Sequence, residues 1–418
     1  MRISNIMTNM EGLESTMLKQ LLDSTTQKGI NLKKIYFAIA NESGLTRADI
    51  VEKTNLKLST CARLIEELIE DSLIEECGEA KSSGGRKAKK YAITPTENYI
   101  VGIDISRRHM KILLLQLDLK IIQEKRFEIN ASSTPDVVIQ LIEQTINDMA
   151  ENQGLHPSEL LGIGVSTIGP LDLKNGVIIN PRHFPAEGWQ NVPLVRILEN
   201  TFQVPVVIGY GQNTALYAEY RVGAVQESSN AVYINKGIGI RLGLMMNEEI
   251  IRAGDRAGKF GQGHMVVDVH GRECECGNFG CMNAYSTIPA IVEEVKRNLK
   301  VGKSSLLQEA NDIETVTFQH IVEAYNLGDE LCKNVLEETA FYSAAGLANL
   351  ISLFQPEHVI LSGPVYEYFD SFYTKSIEQA TLRCEKILPD LHVVFSKGKL
   401  GENAAAIGAG SLLFNSLF

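Results

Sequence analysis

Residues 264–281 read HMVVDVHGRECECGNFGC. The donor spacing is H-x9-C-x-C-x4-C, and four soft donors this close in sequence match the needs of a tetrahedral zinc ion. The expected ligands are His264, Cys274, Cys276 and Cys281. Four protein ligands leave no position for a reactive water, so the expected ion is one structural zinc per chain and not a hydrolytic centre. Gly277 and Gly280 stand where a metal knuckle has to turn tightly, a constraint that ordinary cysteines do not impose.

Around this knuckle the sequence carries the pattern of a mixed α/β fold. YIVGID (99–104), KILLLQLDL (111–119) and IIQEKRFEI (121–129) read as consecutive strands. A helical stretch follows over 136–152, and LLGIGV (160–165) is a buried strand ending at Thr167-Ile168-Gly169-Pro170. The pattern then recurs. Val206 to Ile208 opens a strand before a helix over 213–222, and AVYIN (231–235) with IRLGLM (240–245) repeats the opening strands. Two similar halves imply a duplicated fold with a cleft between lobes.

Composition narrows the class. A chain of 418 residues is long enough for about three domains. No apolar run reaches the ~18–20 residues of a membrane span, and the N-terminus lacks the basic-then-apolar layout of a signal peptide. Seven cysteines, three of them in one cluster, argue against a disulfide scaffold and for a reducing cytoplasm. The net charge of −11 is uneven: residues 1–98 hold 14 basic and 14 acidic side chains, so the acidity lies in the body. A neutral module on an acidic body suits a protein that touches DNA with one end only.

That module begins near INLKKIYFAIANESGLTRADIVEKTNLKLSTCARLIEELIEDSLIEE (30–76). Ile35, Phe37, Ala38 and Ile39 mark a first helix. Thr46, with Asp49 three residues on, is a capping-box start for a short second helix that ends near Thr54. A turn over 55–58 then leads to a third helix from about Ser59, with Leu64, Ile65, Leu68 and Ile69 at helical spacing. Leu73 to Glu76 and Tyr91 to Ile93 read as two strands flanking KSSGGRKAKK (81–90), which has five basic residues and no acidic one. This is the order of a winged helix-turn-helix. Ser59, Thr60 and Arg63 are expected to face the major groove, and Arg47 is expected to contact DNA. Arg86, Lys87, Lys89 and Lys90 are expected to neutralise phosphates, Gly84 and Gly85 giving the wing tip its freedom. Upstream, Leu13, Met17, Leu18, Leu21 and Leu22 lie at helical spacing, either extending the module's core or packing on a partner subunit. Cys61 reads as a small apolar residue of the third helix, and the single tryptophan, Trp189, as a packing residue.

Taken together, these residues resemble the ROK family (repressors, open reading frames and sugar kinases), within the actin-like and sugar-kinase fold. The matching pieces are Gly169-Pro170, NKGIG (235–239), Gly263-His264 with CECGNFGC, VILSGPV (359–365) and LGENAAAIGAG (400–410). The N-terminal module, down to its GGR wing, is similar to that of ROK repressors. The resemblance implies an α/β architecture: a winged helix-turn-helix over 1–95, a first lobe over 96–225, and a second lobe with the zinc motif over 226–418, whose C-terminal helix is free to return to the first lobe.

The departures from the family pattern bear on activity. Where ROK kinases have a DxGGT phosphate loop, this chain has Asp104-Ile105-Ser106-Arg107-Arg108, and bulky residues obstruct the backbone wrapping that glycines permit. Asn235-Lys236 replaces Gly-Thr in the second loop. The kinase motif N-D-x-N-A becomes Tyr210-Gly211-Gln212-Asn213-Thr214, so Gly211 occupies the position of the catalytic aspartate, with Glu219 at the family's acidic position. Positioned acid–base groups supply roughly 10²–10⁴-fold in rate, and glycine supplies none. Two sugar-binding carboxylates are also replaced, by Gly261 and Asn283. Candidate effector contacts by position are Asn180, Tyr210, Asn213, His264 and Asn283, with Tyr210 able to stack on a ring face.

The expected function is a cytoplasmic, homodimeric or homotetrameric transcriptional repressor of carbohydrate uptake and catabolism genes. It would bind a double-stranded DNA operator and a sugar-like effector, carry no catalytic residue, and stay off the membrane. Two other classes remain open at this level: a sugar kinase with a fused DNA-binding domain, and a DNA-binding scaffold that needs no effector.

Overall fold

The computed structural model of the chain describes residues 17–80, 87–94, 98–251, 262–309 and 312–417. It divides into two compact units, residues 1–222 with 403–418, and residues 223–402. The winged module and the first lobe therefore share one unit. Among the described residues no helix is long and apolar enough to cross a membrane.

The N-terminal module comprises α1 (Met17–Asp23), α2 (Gln27–Asn41), β1 (Leu45–Thr46), α3 (Arg47–Thr54), α4 (Leu58–Glu70), β2 (Ile74–Glu79) and β3 (Lys89–Ile93). Thr46 and Asp49 form the capping box read from the sequence: the Asp49 carboxylate accepts from the Thr46 backbone N–H at 2.8 Å, and the Thr46 hydroxyl accepts from the Asp49 N–H. Asn55 ends α3 in the left-handed region at φ 55°. The third helix starts at Leu58, beside Ser59 as expected, where the Lys57 carbonyl accepts the Cys61 N–H at 2.9 Å. Ile35, Ile39, Ile50, Leu64, Ile65, Leu68 and Tyr91 form its buried core, closed by the antiparallel sheet β1-β3-β2. In α1, Leu18 and Leu21 are buried and Met17 is exposed; Leu13 lies outside the described residues.

The first lobe is built on β4 (Tyr99–Ile105), β5 (His109–Gln116), β6 (Ile121–Glu128), β7 (Ile163–Thr167) and β10 (Val206–Tyr210), in the order β10-β7-β4-β5-β6. Between β6 and β7 runs α5 (Pro135–Glu151). A small hairpin of β8 (Leu171–Asp172) and β9 (Val177–Ile178), then α6 (Leu194–Phe202), precede β10, and α7 (Gly211–Val222) follows it directly.

The second unit repeats this plan. Its sheet has β11 (Ala231–Lys236), β12 (Ile240–Met246), β13 (Glu249–Ile250), β14 (His358–Ser362) and β15 (Val394–Ser396), ordered β13-β12-β11-β14-β15. In both sheets the first three strands are antiparallel neighbours, and the first strand pairs in parallel with the fourth, which pairs in parallel with the fifth. The fully buried β4, β7 and β14 are mostly apolar for this reason, with polar residues only at Asp104, Ser166, Thr167, His358 and Ser362. The helices of this unit are α8 (Asn283–Ser286), α9 (Ile288–Lys300), α10 (Phe318–Asn326), α11 (Glu330–Phe354), α12 (Pro364–Tyr368) and α13 (Asp370–Cys384).

The chain then returns to the first unit as α14 (Ala404–Leu417). Its run of alanines and glycines is dictated by close approach. A Cβ on Gly102 of β4 would lie 2.1 Å from the Ala406 carbonyl oxygen, and one on Gly164 of β7 would lie 1.8 Å from that of Ala409. On the opposite side, a Cβ on Gly408 would lie 1.8 Å from the Thr214 carbonyl oxygen of α7. Thus α14 is pressed between the sheet and α7, with no room for a methyl group at any of the three glycines.

Candidate functional site

On the winged module, the buried face of α4 is Cys61, Leu64, Ile65 and Leu68, and this leaves Ser59 and Arg63 exposed with Thr60 half-buried between the two faces. Arg47 is less free than the sequence suggested. Its Nε donates to the Tyr91 hydroxyl at 3.1 Å and its Nη2 to the Glu66 carboxylate at 3.3 Å, so it ties α3 to the wing strand and to α4. Lys28 on α2 pairs with Glu67 on α4 at 2.5 Å. In the wing, Lys89 pairs with Glu76 at 2.5 Å and Lys87 with Glu79 at 3.4 Å, both across the β2–β3 hairpin. These exposed pairs are weak, and a phosphate can compete for either lysine. Lys90 is half-buried. Arg86, Gly84 and Gly85 lie outside the described residues.

In the second unit, the side-chain ligand atoms of His264, Cys274, Cys276 and Cys281 all lie within 4.8 Å of one another. His264 Nδ1 is 3.4 Å from Cys274 Sγ, and Cys276 Sγ is 3.8 Å from Cys281 Sγ. Tetrahedral coordination with metal–sulfur bonds of ~2.3 Å requires sulfurs roughly 3.8 Å apart, so the donors fit a metal ion. Gly277 and Gly280 adopt φ +83° and +69°, and a Cβ on Gly280 would strike the Asp268 carbonyl oxygen at 1.6 Å. The thiols are electrostatically divided. The Asn278 backbone N–H draws Cys276 below the ordinary thiol range, while burial and the neighbouring sulfurs push Cys281 up to about 12. A divalent cation among them would favour all three thiolates. The knuckle is braced by Arg272, which lies over the Tyr285 ring at 4.8 Å and pairs with buried Glu294 of α9 at 2.7 Å.

The positions of kinase chemistry are occupied differently. At the β4–β5 turn, the Ser106 hydroxyl donates to the His109 carbonyl at 2.8 Å and accepts the His109 N–H at 3.0 Å, so the turn closes on itself. Arg107 Nε donates to the Arg182 carbonyl at 2.9 Å. Asp104 accepts from the Ser166 hydroxyl at 2.8 Å, and Thr214 Oγ1 stands 3.0 Å from Ser166 Oγ. Gly211 opens α7 with no positive φ, and a Cβ there would meet Ser166 Oγ at 3.4 Å and Asp104 Oδ1 at 3.9 Å. The backbone does not demand a glycine, and a Cβ would sit at ordinary contact distance.

Lys236, at the second loop, points away from any phosphate role. It is fully buried, with Nζ 2.8 Å from Ser286 Oγ and 2.6 Å from Ser343 Oγ, over the rings of Tyr366 and Phe372. Burial pushes its amine well below the usual lysine range.

Of the candidate effector contacts, Asn180 is exposed and Asn213 half-buried on α7, both in the first unit. Tyr210 is buried, with its hydroxyl 3.4 Å from both the N–H and the carbonyl of Leu171. In the second unit, Asn283 Oδ1 accepts the Ile240 N–H at 3.3 Å, and His264 turns Nδ1 to the cysteines. Gly261 lies outside the described residues. Trp189 is buried, donating to the Ser133 carbonyl at 2.9 Å beside the Phe184 ring.

Arg221 went unnoticed in the sequence. It is buried at the end of α7, with Nη2 donating to the Ala40 carbonyl at 2.7 Å and Nη1 to the Ser411 hydroxyl at 3.0 Å. In the sequence it stands seven residues after Thr214, in a helix whose buried residues also include Gln212, Thr214 and Glu219.

Comparison with known proteins adds family relationships. A model of the ROK family matches residues 100–415, and one described as winged helix-turn-helix DNA-binding matches residues 30–75. The xylose repressor of Bacillus spizizenii is 27% identical over 397 residues, covering 94% of this chain and 97% of the relative. The DNA-binding transcriptional dual regulator NagC of Escherichia coli K12 is 28% identical over 390 residues, covering 92% of each. Among solved structures, a ROK family transcriptional regulator, a homolog of the E. coli MLC protein, superposes with a TM-score of 0.73 at 22% identity, covering 93% of this chain and 96% of that one.

Proposed function

Since this chain belongs to the ROK family, we propose that it is a DNA-binding transcriptional repressor of carbohydrate uptake or catabolism genes, and not a sugar kinase. The observation that carries the reading is a combination within one compact unit. A winged helix-turn-helix presents Ser59 and Arg63 to solvent, while the lobe joined to it carries Gly211 in place of a base and a self-closed turn in place of a phosphate cradle. Regulators along nearly their whole length are its relatives.

In this reading Ser59, Thr60 and Arg63 contact base edges, and Arg86, Lys87, Lys89 and Lys90 contact phosphates. Arg47 orients the helices through Tyr91 and Glu66. The chain acts as a homodimer or homotetramer in the cytoplasm, so that two heads read a two-fold symmetric operator. The effector is a sugar or sugar derivative, with Asn180 and Asn213 as contacts on the first lobe. The metal is one zinc per chain on His264, Cys274, Cys276 and Cys281, where it contributes folding energy and no reaction chemistry.

Two assays on the full chain test this together. A duplex pool of random sequence is selected for binding, and ATP turnover is followed with a panel of hexoses, pentoses and N-acetylated sugars. Enrichment of a symmetric site without sugar-dependent turnover is expected. Turnover with any sugar would return the kinase reading to first place.

A further inference from the structure

We infer that α7 is a connecting rod between the degenerate kinase site and the DNA-reading head, with Arg221 as the positioning residue at the head end. The inference rests on the regulator reading above, which says what the head is for.

At its start, the rod is wired to the old kinase site. Asp104 accepts from Ser166, Ser166 contacts Thr214, and Thr214 lies on the first turn of α7 beside Gly211. Ten residues after Gly211, about 15 Å along the helix at ~1.5 Å per residue, Arg221 bonds the Ala40 carbonyl. Ala40 is the next-to-last residue of α2, where a helix leaves carbonyls without internal partners. The guanidinium fills that need from another domain.

The contact is not isolated. Phe37 of α2 stacks on Phe414 of α14 with centroids 5.9 Å apart and planes 9° from parallel. Arg221 lies over the same Phe414 ring at 5.5 Å and bonds Ser411 on α14. The Gly408–Thr214 contact leaves α7 and α14 no slack to slide independently. Beyond α2, the buried core that includes Ile35 and Ile39 of α2 and Leu64 and Leu68 of α4 passes to the helix bearing Ser59 and Arg63. Displacement of the first turn of α7 is thereby carried by rigid, packed elements to the recognition helix. Lysine could not replace Arg221, because a single ammonium cannot span the Ala40 carbonyl and the Ser411 hydroxyl in the fixed fork of a guanidinium.

Packing alone does not prove coupling, and a double-mutant cycle does. Gly211→Asp perturbs one end and Arg221→Gln the other, in the full chain. Two quantities are read for wild type, each variant and the pair: affinity for the duplex enriched from a random pool, and amide exchange over residues 27–54. Gly211→Asp is expected to change both. Adding Arg221→Gln should abolish that change, giving at least about fivefold non-additivity, where uncoupled sites add within roughly twofold. Additive effects, or no response of residues 27–54 to Gly211→Asp, would overturn the inference. If Arg221→Gln fails to fold, Arg221→Lys takes its place in the cycle with the same expectation. If no duplex is enriched, the regulator reading falls, and the exchange cycle still decides whether α7 links the two ends.

Discussion

A Cβ on Gly211 would stand 3.9 Å from Asp104 Oδ1, at ordinary contact distance and on a backbone that needs no glycine. The position read as that of the kinase base therefore accommodates a Cβ but carries no proton acceptor. Gly211→Asp is expected to fold and to show no ATP-dependent phosphorylation of any hexose or amino sugar in a coupled assay. A base alone supplies at most ~10²–10⁴-fold, whereas positioning of the phosphates, which the closed Ser106–His109 turn does not offer, is most of phosphoryl-transfer catalysis. Turnover by Gly211→Asp would show that the phosphate site had survived.

The knuckle should be a folding element. Purified, reduced protein is expected to carry about one zinc per chain, and Cys276→Ser to lose it. Amide exchange over residues 264–285 should rise in that variant and on chelation, because structural metal binding is folding free energy. Elemental analysis without zinc, or unchanged exchange after chelation, would leave the cluster without its ion.

Lys236 supplies a test through pH. Its folded-state amine titrates below its unfolded value of ~10.4, with burial as the cause. Between those two values the unfolded chain binds more protons, so stability rises with pH across that interval. Lys236→Met should remove this slope and raise the melting midpoint at neutral pH. The hydroxyls left behind keep partners: Ser286 still donates to the Met282 carbonyl and Ser343 still contacts Tyr366. A lower midpoint would show that the amine stabilises the lobe, and an unchanged pH slope that Lys236 does not carry it.

Much of this was legible in the sequence for identifiable reasons. The Thr46–Asp49 box, the apolar face of α4 and the knuckle glycines are local signals, and each appears where its spacing placed it. The duplicated sheet was legible because buried strands read as apolar runs. Long-range partners were not. Nothing in the spacing of residues 206–222 says that Tyr210 turns its hydroxyl to Leu171 or that Arg221 reaches Ala40, 181 residues away in sequence. The pairing of Lys87 and Lys89 was not legible either, because their acidic partners Glu79 and Glu76 sit on the opposing strand.

The most direct test of the central claim is the affinity of the full chain for its selected duplex and for a scrambled one, measured between 50 and 200 mM salt for wild type, Arg63→Ala and Arg86→Ala. Wild type should prefer the selected duplex by at least ~10³-fold. Arg63→Ala should lose about 1–3 kcal/mol of that discrimination, as a base contact does, and Arg86→Ala should weaken both duplexes alike and flatten the salt slope by about 1 per subunit. Equal affinity of wild type for the two duplexes, with neither variant altering it, would contradict the account.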